Sequence, residues 1–383
     1  MLQRTIFNDD HNQFRDAFRK FVEAEIVPHH EQWEADQQVS RELWLKAGEQ
    51  GFLCPTIAEE YGGAGVDRLF SVIVMEELAR ANAAGPGFAL HSDIVAPYIV
   101  NYGTEEQKKK FLPPMVRGEL IGAIAMTEPS TGSDLQAIRT RAVIDGDEVV
   151  LDGSKIFITN GYMSDLVVVA CQLVDPDKGD KPQISLLLVE SDRAGFTKEK
   201  PLKKMGQKAQ DTCVLNFDGV RVPRENILGG DAGIGKGIPM LFGELAWERL
   251  MIGVLAVAGA EFCFQQALSY TRERKAFGQP VADFQDVRFT LAEMRAKISV
   301  GQAYVDQCLA QMLDGHLGAE DAATAKYWCS DMACEVADEA VQLHGGYGYM
   351  LEYPVSRAFT DLRAHRIYGG TNAIMKELIA RSL

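Results

Sequence analysis

The sequence predicts an α+β protein whose helices lie in two outer segments, with the strands gathered between them. Three textures carry that expectation. Apolar residues recur at helical spacing across residues 1–120, short β-branched runs fill 121–232, and long helical stretches occupy 233–383. With 383 residues the chain exceeds the size at which one core usually stops growing, so a large interior able to bury a bulky cofactor is expected.

In the first segment Phe14, Phe18, Phe21 and Val22, then Val72, Met75 and Leu78, mark helix faces. Gly62-Gly63-Ala64-Gly65 and Gly85-Pro86-Gly87 interrupt them. In the second, Val149–Leu151, Ile156–Ile158, Leu166–Ala170, Ile184–Val189 and Val214–Phe217 read as strands, with turns at Asp145-Gly146 and Asp152-Gly153. In the third, helices are expected over 238–272, 284–314, 319–343 and 372–380, with a short helix–helix break at Ala276–Pro280.

Composition narrows the function. There are 54 acidic and 39 basic side chains, a net charge of −15 that repels nucleic-acid backbones, so no nucleic-acid partner is expected. No apolar run is expected to cross a bilayer, and the protein is expected to be soluble. Seven cysteines stand singly without a C-x-x-C pair, as suits small buried residues in a reducing compartment. The opening residues lack the character of a targeting peptide, so a cytoplasmic location is expected.

The histidines show no H-x-x-x-H spacing, so no metal site is expected; His29-His30 are expected at the surface. Gly230–Lys236 has the outline of a nucleotide loop, but Gly237 stands where its hydroxyl residue belongs. No G-x-G-x-x-G follows an early strand, which argues against a Rossmann crevice.

Five segments acquire meaning together: Thr127–Asp134 (TEPSTGSD), Lys155–Gly161 (KIFITNG), Arg274–Gly278 (RKAFG), Gln342–Gly346 (QLHGG) and Tyr368–Asn372 (YGGTN). In this order and spacing the chain resembles the acyl-CoA dehydrogenase family over essentially its whole length. The resemblance implies a helical N-terminal domain, a central β domain and a C-terminal four-helix bundle, assembled as a homotetramer built from dimers. It also implies bound FAD, an acyl-CoA substrate and electron-transferring flavoprotein as electron acceptor.

By the same resemblance, Ile124, Ala125, Met126, Thr127 and Ser133 line the flavin ring, and Phe157, Ile158 and Thr159 cover its other side. Phe157 stands where many relatives have Trp. Arg274 would meet the FAD pyrophosphate of a neighbouring subunit, with Phe277, Gln285, Gln342, Leu343, His344, Gly345, Gly346, Thr371 and Asn372 completing the cofactor set. A solvated charge is an equal reading for Arg274 taken alone. Ser133, Arg249, Gly369 and Gly370 are the implied substrate contacts.

The departure from the family pattern is Gly369, where many members carry the catalytic Glu. The long-chain and isovaleryl branches place the base on a C-terminal-domain helix followed by Arg and Leu, a pattern matched by Glu248-Arg249-Leu250. Helical geometry agrees. At about 100° per residue Leu241, Leu245, Ile252 and Leu255 share a face with Glu248, so a carboxylate interrupts an apolar stripe. A buried Glu satisfied by a neighbouring side chain fits the same pattern. Gly369 can still offer its backbone N–H to a thioester carbonyl, so Glu248 and Gly369 are the expected catalytic pair. Two rivals share the fold: a noncatalytic flavin-binding subunit of a hetero-oligomer, and a flavin oxidase or monooxygenase. Gly85, Gly87, Ala89 and Ser92 are open to two readings, a deep acyl cavity or tight helix packing.

Overall fold

The computed structural model describes residues 3–179 and 181–383. Six α-helices come first: α1 (Asp9–Phe21), α2 (His30–Asp36), α3 (Arg41–Glu49), α4 (Arg68–Arg80), α5 (Ala96–Tyr102) and α6 (Glu105–Val116). Asn8 and Thr104 each close a capping box on α1 and α6, which fixes where those helices start. Strands β1 (Gly122–Ala125), β2 (Arg141–Asp145), β3 (Glu148–Thr159), β4 (Leu166–Val174), β5 (Gln183–Glu190), β6 (Phe196–Lys198) and β7 (Thr212–Pro223) follow. Helices α7 (Gly237–Glu273), α8 (Gln285–Leu313), α9 (Ala319–His344), α10 (Pro354–Leu362) and α11 (Asn372–Ala380) end the chain.

The seven strands form one sheet in the order β1-β4-β2-β3-β7-β6, with β5 on the other edge of β4. β4 pairs parallel to β1 and β2 and antiparallel to β5. It is buried on both faces because its alternate residues serve two cores. Leu166, Val168 and Ala170 pack with α5, α6 and the start of α7, whereas Val167, Val169 and Cys171 fill the other side with β3 and β7. The first core holds the sheet against the N-terminal helices.

Asp152-Gly153 does not end a strand as the sequence suggested. β3 runs through it, paired with β7, and absorbs the irregularity as a register shift between Leu151 and Gly153. A Cβ on Gly153 would lie 2.6 Å from Thr140 Oγ1, so glycine is used here for close approach. Likewise the break at 276–280 is a small hairpin, Lys275–Ala276 with Gln279–Pro280. His29 is exposed, but His30 is buried, and burial pushes its pKa down to about 4.

α7 corrects the expectation that no apolar run could span a bilayer: by length and composition it could. It instead lies at the centre of the C-terminal domain, packed by α4, α8, α9 and α10, and 72% of its most apolar window is buried. Gly85 and Gly87 favour packing over a cavity. Added Cβ atoms would fall 2.8 Å from Ala209 Cβ and 1.9 Å from Asn160 Oδ1. All seven cysteines are unpaired and six are buried. No group of side chains suited to a metal ion occurs among the described residues.

Candidate active site

Glu248 lies mid-way along the first half of α7, 6% exposed, and it accepts a hydrogen bond of 3.0 Å from Tyr98 Oη on α5. Burial raises its pKa to about 7; Glu244, one turn earlier, pushes the same way, while the Tyr98 hydroxyl and Arg249 oppose the rise. Glu244 is also buried and is held by Asn101 Nδ2 at 2.8 Å. A carboxyl poised near neutrality can take a proton and release it again at physiological pH.

One turn beyond Glu248 on the same face is Ile252, and a Cβ added to Gly369 would stand 2.4 Å from Ile252 Cδ1. The sequence-predicted pair is therefore brought together: the loop holding Gly369 lies against the α7 face that carries Glu248. Gly369 and Gly370 have φ of +66° and +91°, a backbone that side-chain-bearing residues seldom adopt. Position 369 has room and conformation for glycine.

On the adjacent face of α7, Gly253 approaches Ala325 of α9, and Lys326 is the next residue. Lys326 is fully buried, with Nζ donating to Gly370 O at 2.6 Å and Asn372 Oδ1 at 2.8 Å. Asn372 Nδ2 in turn donates to Ser330 Oγ at 3.0 Å and Asp331 Oδ1 at 2.9 Å. Asn372, read in the sequence as a cofactor contact, thus spends its amide fastening the loop to α9. Thr371 caps α11 through the Ile374 N–H. Arg249 is 8% exposed with no hydrogen-bond partner on Nε, and burial lowers its pKa. Its proximity to Glu248 and Lys326 fits the predicted place at the substrate end of the site.

The flavin-lining residues divide by side-chain direction. Ile124, Ala125 and Ile158 are buried in the apolar cores, so they can offer a ligand only main-chain atoms. Met126 and Thr127 are half-buried, Thr159 is half-buried and Ser133 is exposed. Phe157 is 64% exposed with φ +62°, held outward by the second register shift of β3, between Lys155 and Ile158. The Ile156 N–H donates to Thr127 O at 3.0 Å, which sets the loop beside the outward phenyl ring. An exposed aromatic face next to half-buried main chain fits the face and edge of an isoalloxazine ring.

Lys155 keeps that arrangement in place. Its Nζ is fully buried and donates to Met126 O at 3.0 Å and Glu128 Oε1 at 2.8 Å, and Glu128 also accepts from the Arg139 and Thr140 N–H groups. Burial works against the Glu128 carboxylate, but the bonds from Lys155 and Thr140 outweigh it and its pKa falls.

A second cluster lies at the far end of α7. Arg274, Phe277, Gln285, Gln342, Gly345 and Gly346 are exposed, with Phe277 at 97% and φ +51°. The Arg274 guanidinium lies 5.9 Å from the Tyr347 ring centroid, and so the 274 and 342–346 motifs meet. His344 is different: it is buried, stacked 4.2 Å from Tyr270, and its Nδ1 faces Ala340 O at 2.7 Å, while Leu343 packs on the bundle core. Among the described residues no hydrogen bond, ion pair or ring contact joins this cluster to the Phe157 loop. The two halves of the predicted cofactor set are separate within one chain.

Sequence reasoning missed Tyr98, Lys155, Glu128, Asn101 and Lys326. Tyr98 sits in an apolar run where a buried hydroxyl demands a partner, and that demand was the available signal. Lys155 opens one of the five motifs, and Glu128 belongs to another. Lys326 had no local signal, because its partners lie more than forty residues on.

Comparison with known proteins accords with this geometry. Three family models match in sequence: acyl-CoA dehydrogenase N-terminal domain over residues 8–119, middle domain over 123–220 and C-terminal domain over 235–383. The long-chain specific acyl-CoA dehydrogenase of Rattus norvegicus is 51% identical over 380 residues, 99% of this chain and 88% of that protein. A crystal structure of acyl-CoA dehydrogenase from Geobacillus kaustophilus superposes with a TM-score of 0.95 at 47% identity, covering 99% of both chains. Another, from Bacillus anthracis and complexed with FAD, gives 0.91 at 32% identity, covering 98% of this chain and 67% of that one. The protein belongs to the acyl-CoA dehydrogenase family and is an FAD-dependent oxidoreductase of acyl-CoA thioesters.

Proposed function

We propose that the protein oxidises long-chain acyl-CoA to the trans-2-enoyl-CoA, with Glu248 as the base that takes the α proton. The observation that carries this reading is a buried, Tyr98-bonded carboxyl on α7 one turn from Ile252, the residue against which the glycine loop at 369 rests. The Gly369 N–H donates to the thioester carbonyl and acidifies the α C–H. Glu248 accepts the proton, with Tyr98 holding the carboxyl in place and Arg249 compensating its charge. Bound FAD supplies the acceptor for the hydrogen that leaves the β carbon with its electron pair. Desolvation of Glu248 by the acyl chain raises its basicity further at the moment of use. Electrons leave the cycle to electron-transferring flavoprotein. The long-chain preference is supported by the name of the 51% identical rat protein.

Anaerobic flavin reduction with a graded series of saturated acyl-CoAs tests the substrate. Each additional buried methylene is worth about 0.8 kcal/mol, so two of them give more than about tenfold in kcat/KM. Values should climb from butyryl-CoA to chains of twelve or more carbons; a maximum at four carbons would refute the long-chain assignment.

The exposed Arg274–Tyr347 cluster supports assembly as a homotetramer built from dimers, in which Arg274 reaches the FAD pyrophosphate of a neighbouring subunit. Arg274→Ala should then weaken FAD retention at least about tenfold while leaving flavin reduction in FAD-saturated enzyme within about twofold. Unchanged FAD affinity, measured by ultrafiltration of the holoenzyme, would return Arg274 to a solvated charge.

A further inference from the structure

We infer that Lys326 is a positioning residue for the reaction: by holding Gly370 O and Asn372 Oδ1 it aims the Gly369 N–H at the substrate carbonyl. The inference rests on the reading of Gly369 as the carbonyl donor.

The loop from Tyr368 to Thr371 is fixed at its ends by the Tyr368 N–H to Ala364 O and by the Thr371 cap on α11, and its middle needs a further tie. It contains two consecutive glycines at positive φ, the residue type with the most backbone freedom to lose. Its first glycine is bounded on one side by Ile252, an apolar side chain that excludes but does not orient. Orientation requires a directional bond. Between those ends the Lys326 ammonium, at 2.6 Å from Gly370 O and 2.8 Å from Asn372 Oδ1, ties the glycines to α9. Asn372 is itself fixed by Ser330 and Asp331, which lie one turn along α9 from Lys326. Two points of attachment on one rigid helix thus fix the Gly370–Thr371 peptide and the start of α11, and limit how far Gly369 can swing.

Burying a lysine completely is costly, and a structural hydrogen bond to a carbonyl could be made by a neutral side chain at less expense. An ammonium makes charge-assisted bonds to both acceptors at once and holds them more stiffly than a neutral donor would. Lys326 on α9 and Arg249 on α7 lie in one corner, with Asp331 paired to Arg366 at 2.5 Å. The Gly370 carbonyl shares its peptide with the Thr371 N–H, so the ammonium acts on Gly369 by fixing the chain that follows it. Lys326 touches no reacting atom; it acts through the loop.

The test reads carbonyl polarisation separately from proton removal. Trans-2-hexadecenoyl-CoA carrying 13C at C1 is bound to oxidised holoenzyme, where it is not consumed, and its thioester C=O stretch is recorded by isotope-edited infrared difference spectroscopy. Parent enzyme should shift the stretch to lower frequency than in water. Lys326→Met should lose at least half of that shift and at least about tenfold in kcat, with FAD content retained and KM changed far less than kcat. Lys326→Arg, which keeps a cationic donor, should recover part of the shift. Should Lys326→Met fail to fold, Asn372→Ala removes the second attachment alone and should show an intermediate shift. A full parental shift in a folded Lys326→Met or Asn372→Ala enzyme overturns the proposal. Glu248→Gln serves as the separating control: it should keep the shift while losing flavin reduction, so a failure of the Glu248 assignment leaves the infrared result untouched. Absence of any shift in the parent would instead overturn the Gly369 reading itself.

Discussion

Lys155→Met is expected to strip the protein of flavin and to lower its stability by about 3 to 5 kcal/mol, the range for removing one partner of a buried ion pair. The Lys155 side chain is inaccessible and the Glu128 side chain is 4% exposed, so no solvent replaces the lost ammonium. Glu128 would keep its two backbone N–H donors but lose the cation that offsets its burial. Met126 O would lose its donor as well, and the loop proposed to line the flavin edge would be left with the Ile156 N–H bond to Thr127 O as its tie to β3. Urea unfolding of holoenzyme and variant, followed by near-ultraviolet and flavin signals, measures both effects. Glu128→Gln/Lys155→Met, which leaves no unpaired charge, should regain most of the stability and little of the flavin binding. Equal midpoints for Lys155→Met and the parent would show that the pair is not the anchor proposed here.

The order of helices, strands and helices was legible because each segment keeps its own period. The α4 face at Val72, Met75 and Leu78 and the α11 span at 372–380 need only local pattern, and the structure has them where the pattern places them. Asp152-Gly153 misled because glycine there serves the approach of Thr140, just ahead of the neighbouring strand, a tertiary cause invisible in a turn signature. α7 misled in the opposite sense. Its apolar composition reflects burial by four other helices, a tertiary cause that length and hydropathy do not distinguish from a bilayer span.

The site divides the same way. Glu248 was visible as a carboxylate on an apolar stripe, and Gly369 as a departure from a motif. What joins them, Ile252 against the glycine, is a contact across 117 residues that periodicity cannot express. Motif membership also overstated individual side chains. Ile124, Ala125, Ile158 and His344 lie in the predicted segments but are buried in the interior, and Asn372 is engaged by Lys326, Ser330 and Asp331.

Glu248→Gln carries the other large effect. The amide has the size of the carboxyl and can still accept from Tyr98 Oη, so the fold, FAD content and acyl-CoA binding should persist. It cannot take a proton, and loss of a positioned general base costs at least about a hundredfold. The pKa of about 7 gives the parent a signature that the variant lacks. Only the ionised carboxyl is a base, so the second-order rate of flavin reduction should rise about tenfold per pH unit below 7 and level off above it. In Glu248→Gln that limb should vanish. The decisive measurement is anaerobic stopped-flow flavin reduction in Glu248→Gln holoenzyme with saturating palmitoyl-CoA. A rate at least about a hundred times below the parent, with the flavin still bound, is the result expected of a catalytic base; reduction at the parental rate would contradict it and leave Glu248 a structural carboxyl held by Tyr98.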